Sequence, residues 1–143
     1  MGKGIYCLVI SGGGVPVQIG ALGERFFPEG YYVYAGSALG SGGLQARVGR
    51  HIRVAATPGS RTHWHIDHLL HDPSFRLAGV YCAETGERKE CSLAGALGGG
   101  KVHWFGSSDC RCPSHLFFFA AHPGPEIRRA FRELGLAWTE RTL

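Results

Sequence analysis

Apolar stretches separated by glycine-rich turns occupy the first 37 residues, and this alternation is typical of short β-strands. Residues 4–10 (GIYCLVI), 15–20 (VPVQIG) and 30–37 (GYYVYAGS) are rich in β-branched and aromatic residues, which favour strands. Consecutive strands joined by short turns pair in antiparallel fashion. The pattern therefore predicts a small antiparallel three-stranded central sheet, with residues 15–20 at an edge or an end because Pro16 has no amide hydrogen to donate.

After residue 37 the hydrophobic period lengthens to that of a helix. Apolar side chains recur at i, i+4, i+8 and i+11, and such a stripe is the buried face of an amphipathic helix. Arg47 and His51 lie one turn apart at the border of the stripe, whereas Arg50 and Arg53 lie farther round, towards water. The residues of the stripe are Leu44, Val48, Ile52 and Ala55.

The rest of the chain alternates between helical and extended patterns. It predicts a helix over 61–72, a strand over 75–84, a helix over 87–97, a loop over 101–114, a strand over 116–121 and a helix over 125–135. Neither an internal repeat nor a linker stands out. We therefore expect one domain over residues 1–143, of class α/β (α+β), in which helices flank the small sheet and a strand–helix extension follows at the C-terminal end.

Composition narrows the class of protein further. A hydrophobic fraction of 44% and a mean hydropathy near zero are typical of a soluble globular chain. We find no run of 18 apolar residues and no charged-then-apolar leader, so neither a membrane span nor secretion is expected. The five cysteines are odd in number and spaced poorly for disulfides, which favours a reducing compartment. The expected location is the cytoplasm.

The positive charge is concentrated in arginine. The net charge is +4, carried by twelve arginines and only three lysines, and residues 31–66 contain four arginines and no acidic residue. Arginine favours bidentate contacts with phosphate, so this block indicates a polyanionic partner. The alternative is that the block is simply a solvated face.

Two tripeptides and three single residues form a recognisable order along the chain. Gly-Ile-Tyr at 4–6 is followed by Tyr-Ala-Gly at 34–36, then by Arg47 and His51, and later by Glu90 at the head of a helix. This order resembles the signature of the GIY-YIG nuclease superfamily. The similarity extends from residue 4 to about 119, and is closest to an uncharacterised branch whose members also show segments like HWHIDHLL and FGSSDCRCPSHLF.

The resemblance implies a GIY-YIG-like fold and a metal-dependent endonuclease that hydrolyses phosphodiester bonds in DNA, or in branched DNA or RNA. It implies that Glu90 holds Mg²⁺ or Mn²⁺, that Arg47 clamps the phosphate, and that Tyr6 activates or orients water. Tyr34 and His51 would assist. A phenol with a pKa near 10 is a weak base at neutral pH, so Tyr6 would need the metal or Arg47 to favour its phenolate.

Each of these residues also has a structural interpretation. The tyrosines could be half-buried strand aromatics, and Glu90 an exposed carboxylate favoured by the helix dipole. Ala35 in the second tripeptide, Ser37 in place of a longer polar side chain, and the absence of asparagine depart from the superfamily's usual pattern. The alternative function is therefore a non-catalytic nucleic-acid-binding module of the same fold.

Two further sets of residues carry expectations about binding. Nucleic acid, DNA above all, is expected to contact Ser37, Arg50, Arg53 and Arg61. Cysteine and histidine are zinc ligands, so a structural Zn²⁺ site is one interpretation of His63, Cys110, Cys112 and His115. Their spacing lacks the usual two paired ligand sets, and the preferred interpretation is a structural or substrate-facing loop. Protein partners are left open.

Overall fold

The computed structural model describes residues 2–102, 105 and 114–143. The strands are β1 (Gly4–Gly12), β2 (Val15–Gln18), β3 (Glu24–Phe27), β4 (Gly30–Ala38), β5 (Phe75–Glu84), β6 (Gly100–Lys101), β7 (Leu116–Phe119) and β8 (Thr139–Thr142). The helices are α1 (Gly43–Ala56), α2 (His65–His71), α3 (Glu90–Leu97) and α4 (Gly124–Glu133), and a 3₁₀ turn covers Gly20–Leu22.

The predicted three-stranded central sheet is wrong, because the central sheet has six strands. Their order is β6-β7-β4-β1-β5-β8, and every neighbouring pair is antiparallel. β2, which the sequence places in the central sheet, instead pairs with β3 as a separate two-stranded hairpin. The physical reason is that β4 and β5 occupy both edges of β1 along nearly its whole length, so no edge of β1 remains for β2.

The C-terminal half contributes to the sheet more than the pattern indicates. The strand predicted as part of an extension is β7, and it pairs with β4 inside the sheet. β8 was not predicted, because its four residues, Thr139–Thr142, are all exposed and show no apolar alternation. The mixed α+β class is confirmed, as are the strand over 75–84 and the helices over 61–72, 87–97 and 125–135, with shorter bounds.

Helices cover both faces of the sheet, so its central strands are buried on each side. Alternate residues of β1 divide between two apolar clusters. Tyr6 and Leu8 face the cluster that contains side chains of α1 and α2. Ile5 and Cys7 face the cluster formed with α3 and α4. No helix in the described ranges is both long and apolar enough to cross a membrane.

Gly36 of β4 makes room for a large side chain of the neighbouring strand. It lies opposite Tyr6 in the β1–β4 register. A Cβ at position 36 would lie 2.4 Å from Cζ and 2.5 Å from Oη of Tyr6. These distances are far below van der Waals contact, so only glycine permits the phenol of Tyr6 to cross β4 at this point.

We expect Gly36→Ala to displace the Tyr6 ring and to lower the free energy of unfolding by about 1–3 kcal/mol, the usual cost of overpacking a core. Urea denaturation measures this difference. Gly95→Ala is the matched control, because no atom lies within 4 Å of its added Cβ and alanine favours a helix. Equal stability of the Gly36→Ala variant and the wild type would contradict the steric argument.

Candidate functional site

A cavity of about 390 Å³ lies where β1, β4, α1 and the start of α3 meet. Four of the five residues predicted as catalytic line it, namely Tyr6, Tyr34, Arg47 and Glu90. Ser37, His63 and His115 line it as well, together with Trp64, His65 and Arg88, which the sequence prediction left out of the site. The structure therefore brings side chains from distant parts of the chain to one concave surface.

His51 lies behind the cavity wall and contacts the tyrosines from below. It is 1% exposed, and its Nε2 atom is 2.7 Å from Oη of Tyr6. The ring centroids of His51 and Tyr34 are 6.1 Å apart. The Nδ1 atom of His51 is buried without a hydrogen-bond partner among the described residues. His51 therefore does not line the cavity itself, but contacts side chains that do, Tyr6 among them.

Burial keeps both members of this pair neutral. Burial, together with the nearby guanidinium groups of Arg50 and Arg47, lowers the pKa of His51 to about 4 despite an opposing effect of Asp67. Burial also raises the pKa of Tyr6 well above that of a free phenol; Tyr34 adds to this rise, and Arg47 opposes it by its charge and a hydrogen bond. At neutral pH the pair is thus a phenol and an uncharged imidazole.

Arg47 is held at the rim of the cavity by contacts with two neighbouring elements. Its Nη1 atom donates to the carbonyl oxygen of Ser37 on β4, at 3.3 Å. Its guanidinium carbon lies 4.5 Å from the ring centroid of Trp64, within the range of a cation–π contact. The side chain is thus half-buried and oriented while remaining in the cavity lining. This arrangement suits the binding of an anion.

Glu90 presents a buried carboxylate to the cavity at the first residue of α3. The residue is 5% exposed, and its Oε1 atom lies 3.5 Å from Nε of Arg88, a side chain that is itself 67% exposed. Its Oε2 atom is buried and has no hydrogen-bond partner in the part of the chain that the structure describes. A buried carboxylate oxygen without a partner is costly, so this atom fits a role as ligand to a cation.

The side chains at this site suit a hard cation that takes most of its ligands from water and from substrate phosphate. Within residues 2–102, 105 and 114–143, no group of three or more His, Cys, Asp or Glu side chains is placed to hold a metal ion. Mg²⁺ is commonly bound through one or two carboxylates, with waters and substrate phosphates as the other ligands. Glu90 alone therefore fits Mg²⁺ or Mn²⁺ better than it fits a closed zinc site, which needs four protein ligands.

The predicted nucleic-acid-binding arginines differ in their surroundings. Arg53 and Arg61 are exposed and line a second depression of about 510 Å³, which shares His63 with the first cavity. Arg50 also borders it, but both of its terminal nitrogens donate to the buried carboxylate of Asp67, at 3.0 and 2.9 Å. Arg50 is therefore not the water-facing side chain that the helical pattern predicts.

The residues of the zinc interpretation are only partly described. Cys110 and Cys112 lie outside the described residues. His63 is exposed, His115 is buried, and both line the cavity. Nε2 of His115 lies 4.0 Å from Sγ of Cys91, a residue that sequence reasoning did not place in the site.

Trp64, His65 and Asp67 belong to the HWHID segment, which is part of the family resemblance but to which the sequence assigns no role in the site. On α2 the side chains of His65 and Asp67 face different sides: His65 lines the cavity, whereas Asp67 is 0% exposed. No signal in the sequence placed Trp64 or Arg88 in the cavity lining, because that placement depends on contacts between elements.

Comparisons with known proteins identify a family but no characterised relative. Residues 5–136 match the family model described as Domain of unknown function DUF123. No curated protein matches the chain, and no solved structure matches it. The function therefore has to be argued from the cavity itself.

The depressed pKa of His51 predicts an acid-sensitive stability. In the unfolded chain His51 binds a proton near pH 6.5, whereas in the folded protein it does so only near pH 4. Between these values the unfolded state binds more protons, so the free energy of unfolding falls as the pH falls from about 6.5 to 4, by about 3 kcal/mol from this group. Denaturant titrations across this range should show a shallower fall for His51→Gln. Parallel curves would contradict the buried neutral imidazole.

Proposed function

Because the chain belongs to the DUF123 family and its cavity joins a guanidinium, two phenols and a buried carboxylate, we propose that this protein is a divalent-metal-dependent nuclease. Its substrate is nucleic acid, DNA above all, and it hydrolyses a phosphodiester bond. We further propose that the family is a branch of the GIY-YIG superfamily. The observation that carries the proposal is Glu90: it lines the same cavity as Arg47 and Tyr6, and its buried Oε2 atom has no hydrogen-bond partner among the described residues.

Arg47 binds the scissile phosphate. A guanidinium presents a planar fork of donors that matches phosphate oxygens and always carries its charge. Its contacts with the Ser37 carbonyl and the Trp64 ring hold this fork in place before substrate arrives. A fixed positive charge stabilises the extra negative charge that develops on phosphate oxygens in the transition state, without a cost of reorganisation.

Tyr6 orients the attacking water. Its phenol is neutral in the protein because burial raises its pKa, and Nε2 of His51 keeps its oxygen in one position. Oη of Tyr6 can accept a hydrogen bond from the attacking water while its own proton is held towards Nε2 of His51, so the water is oriented without a free phenolate. Tyr34 lines the same cavity and supplies a hydroxyl donor to a phosphate oxygen.

Glu90 is the residue of this chain that would hold the cation. When bound, Mg²⁺ or Mn²⁺ supplies positive charge to the phosphate and the leaving oxygen. The carboxylate of Glu90 is anchored at the first turn of α3, where the helix dipole favours a negative charge. Because this carboxylate is 5% exposed, its electrostatic interaction with a cation is less screened than it would be in water.

Nucleic acid continues from the cavity over the second depression. Arg53 and Arg61 are exposed there, and His63 borders both cavities. Contacts of such side chains with phosphate give affinity and orientation without reading sequence. We therefore propose that these residues bind the backbone of the strand on one side of the scissile phosphate.

We expect Glu90→Gln to bind DNA as well as the wild type and to cut it at least about 100-fold more slowly, because the substitution removes the charge that a hard cation requires. Cleavage of plasmid, branched DNA and RNA is measured with Mg²⁺ and with Mn²⁺, and affinity by fluorescence anisotropy. Glu126→Gln is the matched control, since Glu126 also lies in a helix's first turn, has a buried Oε2 atom without a hydrogen-bond partner among the described residues, and does not line the cavity.

Two results would contradict the nuclease proposal. One is a wild type that binds nucleic acid but cuts no substrate with either metal, in which case the protein is the non-catalytic binding module. The other is equal cleavage by wild type and Glu90→Gln, which would leave Glu90 without a catalytic role.

The surface arginines give a separate prediction about binding. We expect Arg53→Gln and Arg61→Gln each to lower the slope of log affinity against log salt by about 0.9, the value for one lost contact with a DNA phosphate. The loss of affinity should be alike for unrelated DNA sequences. Arg129→Gln on α4 is the control, since α4 packs on the opposite face of the sheet from α1. Unchanged slopes would rule out these two phosphate contacts.

A further inference from the structure

Two arginines of α1 contact the same aromatic ring. The guanidinium carbons of Arg47 and Arg50 lie 4.5 and 4.3 Å from the ring centroid of Trp64. Trp64 directly precedes α2, and it is half-buried between that helix and α1. The ring of one element is thus shared by two cations of another, although only one of them, Arg47, lines the candidate catalytic cavity.

Asp67 explains why the charge of Arg50 is neutralised and that of Arg47 is not. Its carboxylate is 0% exposed and accepts four hydrogen bonds: two from Arg50, and one each from the backbone amides of His63 and Trp64, at 2.7 and 3.0 Å. Burial alone would raise the pKa of Asp67, but Arg50 and these amides together hold it below its usual value. One buried anion therefore ties Arg50 to the backbone that carries Trp64.

The positive charges of the two arginines therefore interact with different groups. Arg50 is neutralised by Asp67, and its terminal nitrogens donate to that carboxylate. Arg47 has no carboxylate within ion-pair distance among the described residues. It donates to the Ser37 carbonyl and lies against the face of Trp64, so its charge remains available to the cavity.

We infer that Trp64, anchored by the Asp67–Arg50 ion pair, is a positioning residue that holds the guanidinium of Arg47 in place for phosphate. The inference deepens the proposed nuclease function and rests on it for the ligand of Arg47. It assigns the HWHID segment a role: Asp67 fixes the start of α2, and Trp64 transmits that position to Arg47. Arg50 is then a structural partner and makes no contact with nucleic acid.

The experiment compares variants that test separately the aromatic ring of Trp64, its anchor at Asp67 and the packing of an apolar side chain at position 64. Trp64→Leu removes the aromatic face while keeping an apolar side chain, and Trp64→Phe retains a smaller face. Asp67→Asn keeps the shape of the anchor and removes its charge, so it also serves if Trp64→Leu does not fold. Arg128→Met and Glu140→Gln are matched controls, because Arg128 and Glu140 form another bidentate pair, at 2.7 and 2.9 Å, with Arg128 over the ring of Tyr81.

The first readout does not depend on activity. In ¹H–¹⁵N spectra of the protein alone, the Nε–H signal of Arg47 is assigned by its loss in Arg47→Lys. In the wild type and in both controls, we expect this proton to exchange slowly with water. In Trp64→Leu and Asp67→Asn the exchange should be faster, and in Trp64→Phe it should be intermediate. An Arg47 signal that Trp64→Leu leaves unchanged would overturn the inference.

The second readout is kinetic and uses the DNA substrate that the wild type cuts. We expect Trp64→Leu to lower kcat about tenfold with little change in KM, in the range of a cation–π contact partly removed from water, and Trp64→Phe to recover part of the loss. If Trp64→Phe is no better than Trp64→Leu, or if Arg50→Met lowers the salt slope of DNA binding as Arg53→Gln is expected to, the inference is wrong.

These measurements separate the two proposals. A wild type that cuts no substrate, combined with the expected changes in the Arg47 signal, would remove the nuclease function and leave the positioning role supported. Normal cleavage by the wild type, with the same Arg47 signal and the same kcat in the Trp64 variants, would keep the nuclease and remove the positioning role.

Discussion

The candidate site depends on the antiparallel pairing of β1 with β4, which sets Tyr6 opposite Gly36. This register leaves the Tyr6 ring lying across a position that has no side chain, with its hydroxyl 2.7 Å from Nε2 of His51. Because the ring and the imidazole are both buried, neither carries a charge at neutral pH. A phenol in one orientation and one protonation state is therefore a consequence of strand register.

Placement of positive charge is the second constraint on the site. α1 brings Arg47 and Arg50 next to one another, and two like charges at such spacing repel. Asp67 relieves this repulsion by pairing with Arg50, while the face of Trp64 accepts both cations. The repulsion that would otherwise move Arg47 is thus reduced without neutralising Arg47 itself. Glu90 supplies the opposite charge across the cavity from a different helix.

Sequence reasoning was most successful where the signal was local. The strands around residues 4–10, 30–37 and 75–84 follow from side-chain periodicity, which depends only on neighbouring residues. The predicted stripe of α1 is only partly right: Leu44 and Val48 are buried, but the buried face continues through His51, which was predicted at its border, and Val54, while Ile52 and Ala55 are partly buried. Of the five residues that the resemblance named, Tyr6, Tyr34, Arg47 and Glu90 line one cavity, and His51 lies behind its wall. Sequence reasoning was wrong about the sheet, because partner choice depends on which strand edges are free and not on which strands are consecutive.

What the sequence by itself determined is the set of elements and the type of chemistry: a mixed α+β chain with tyrosines on strands and arginines on one helix. Tertiary structure decided which of those groups keep their charge. The helical pattern places Arg50 farther towards water than Arg47, yet it is Arg50 that pairs with a buried carboxylate 17 residues farther along the chain. Burial and pairing are set by contacts between elements, and the order of residues along one element does not encode them.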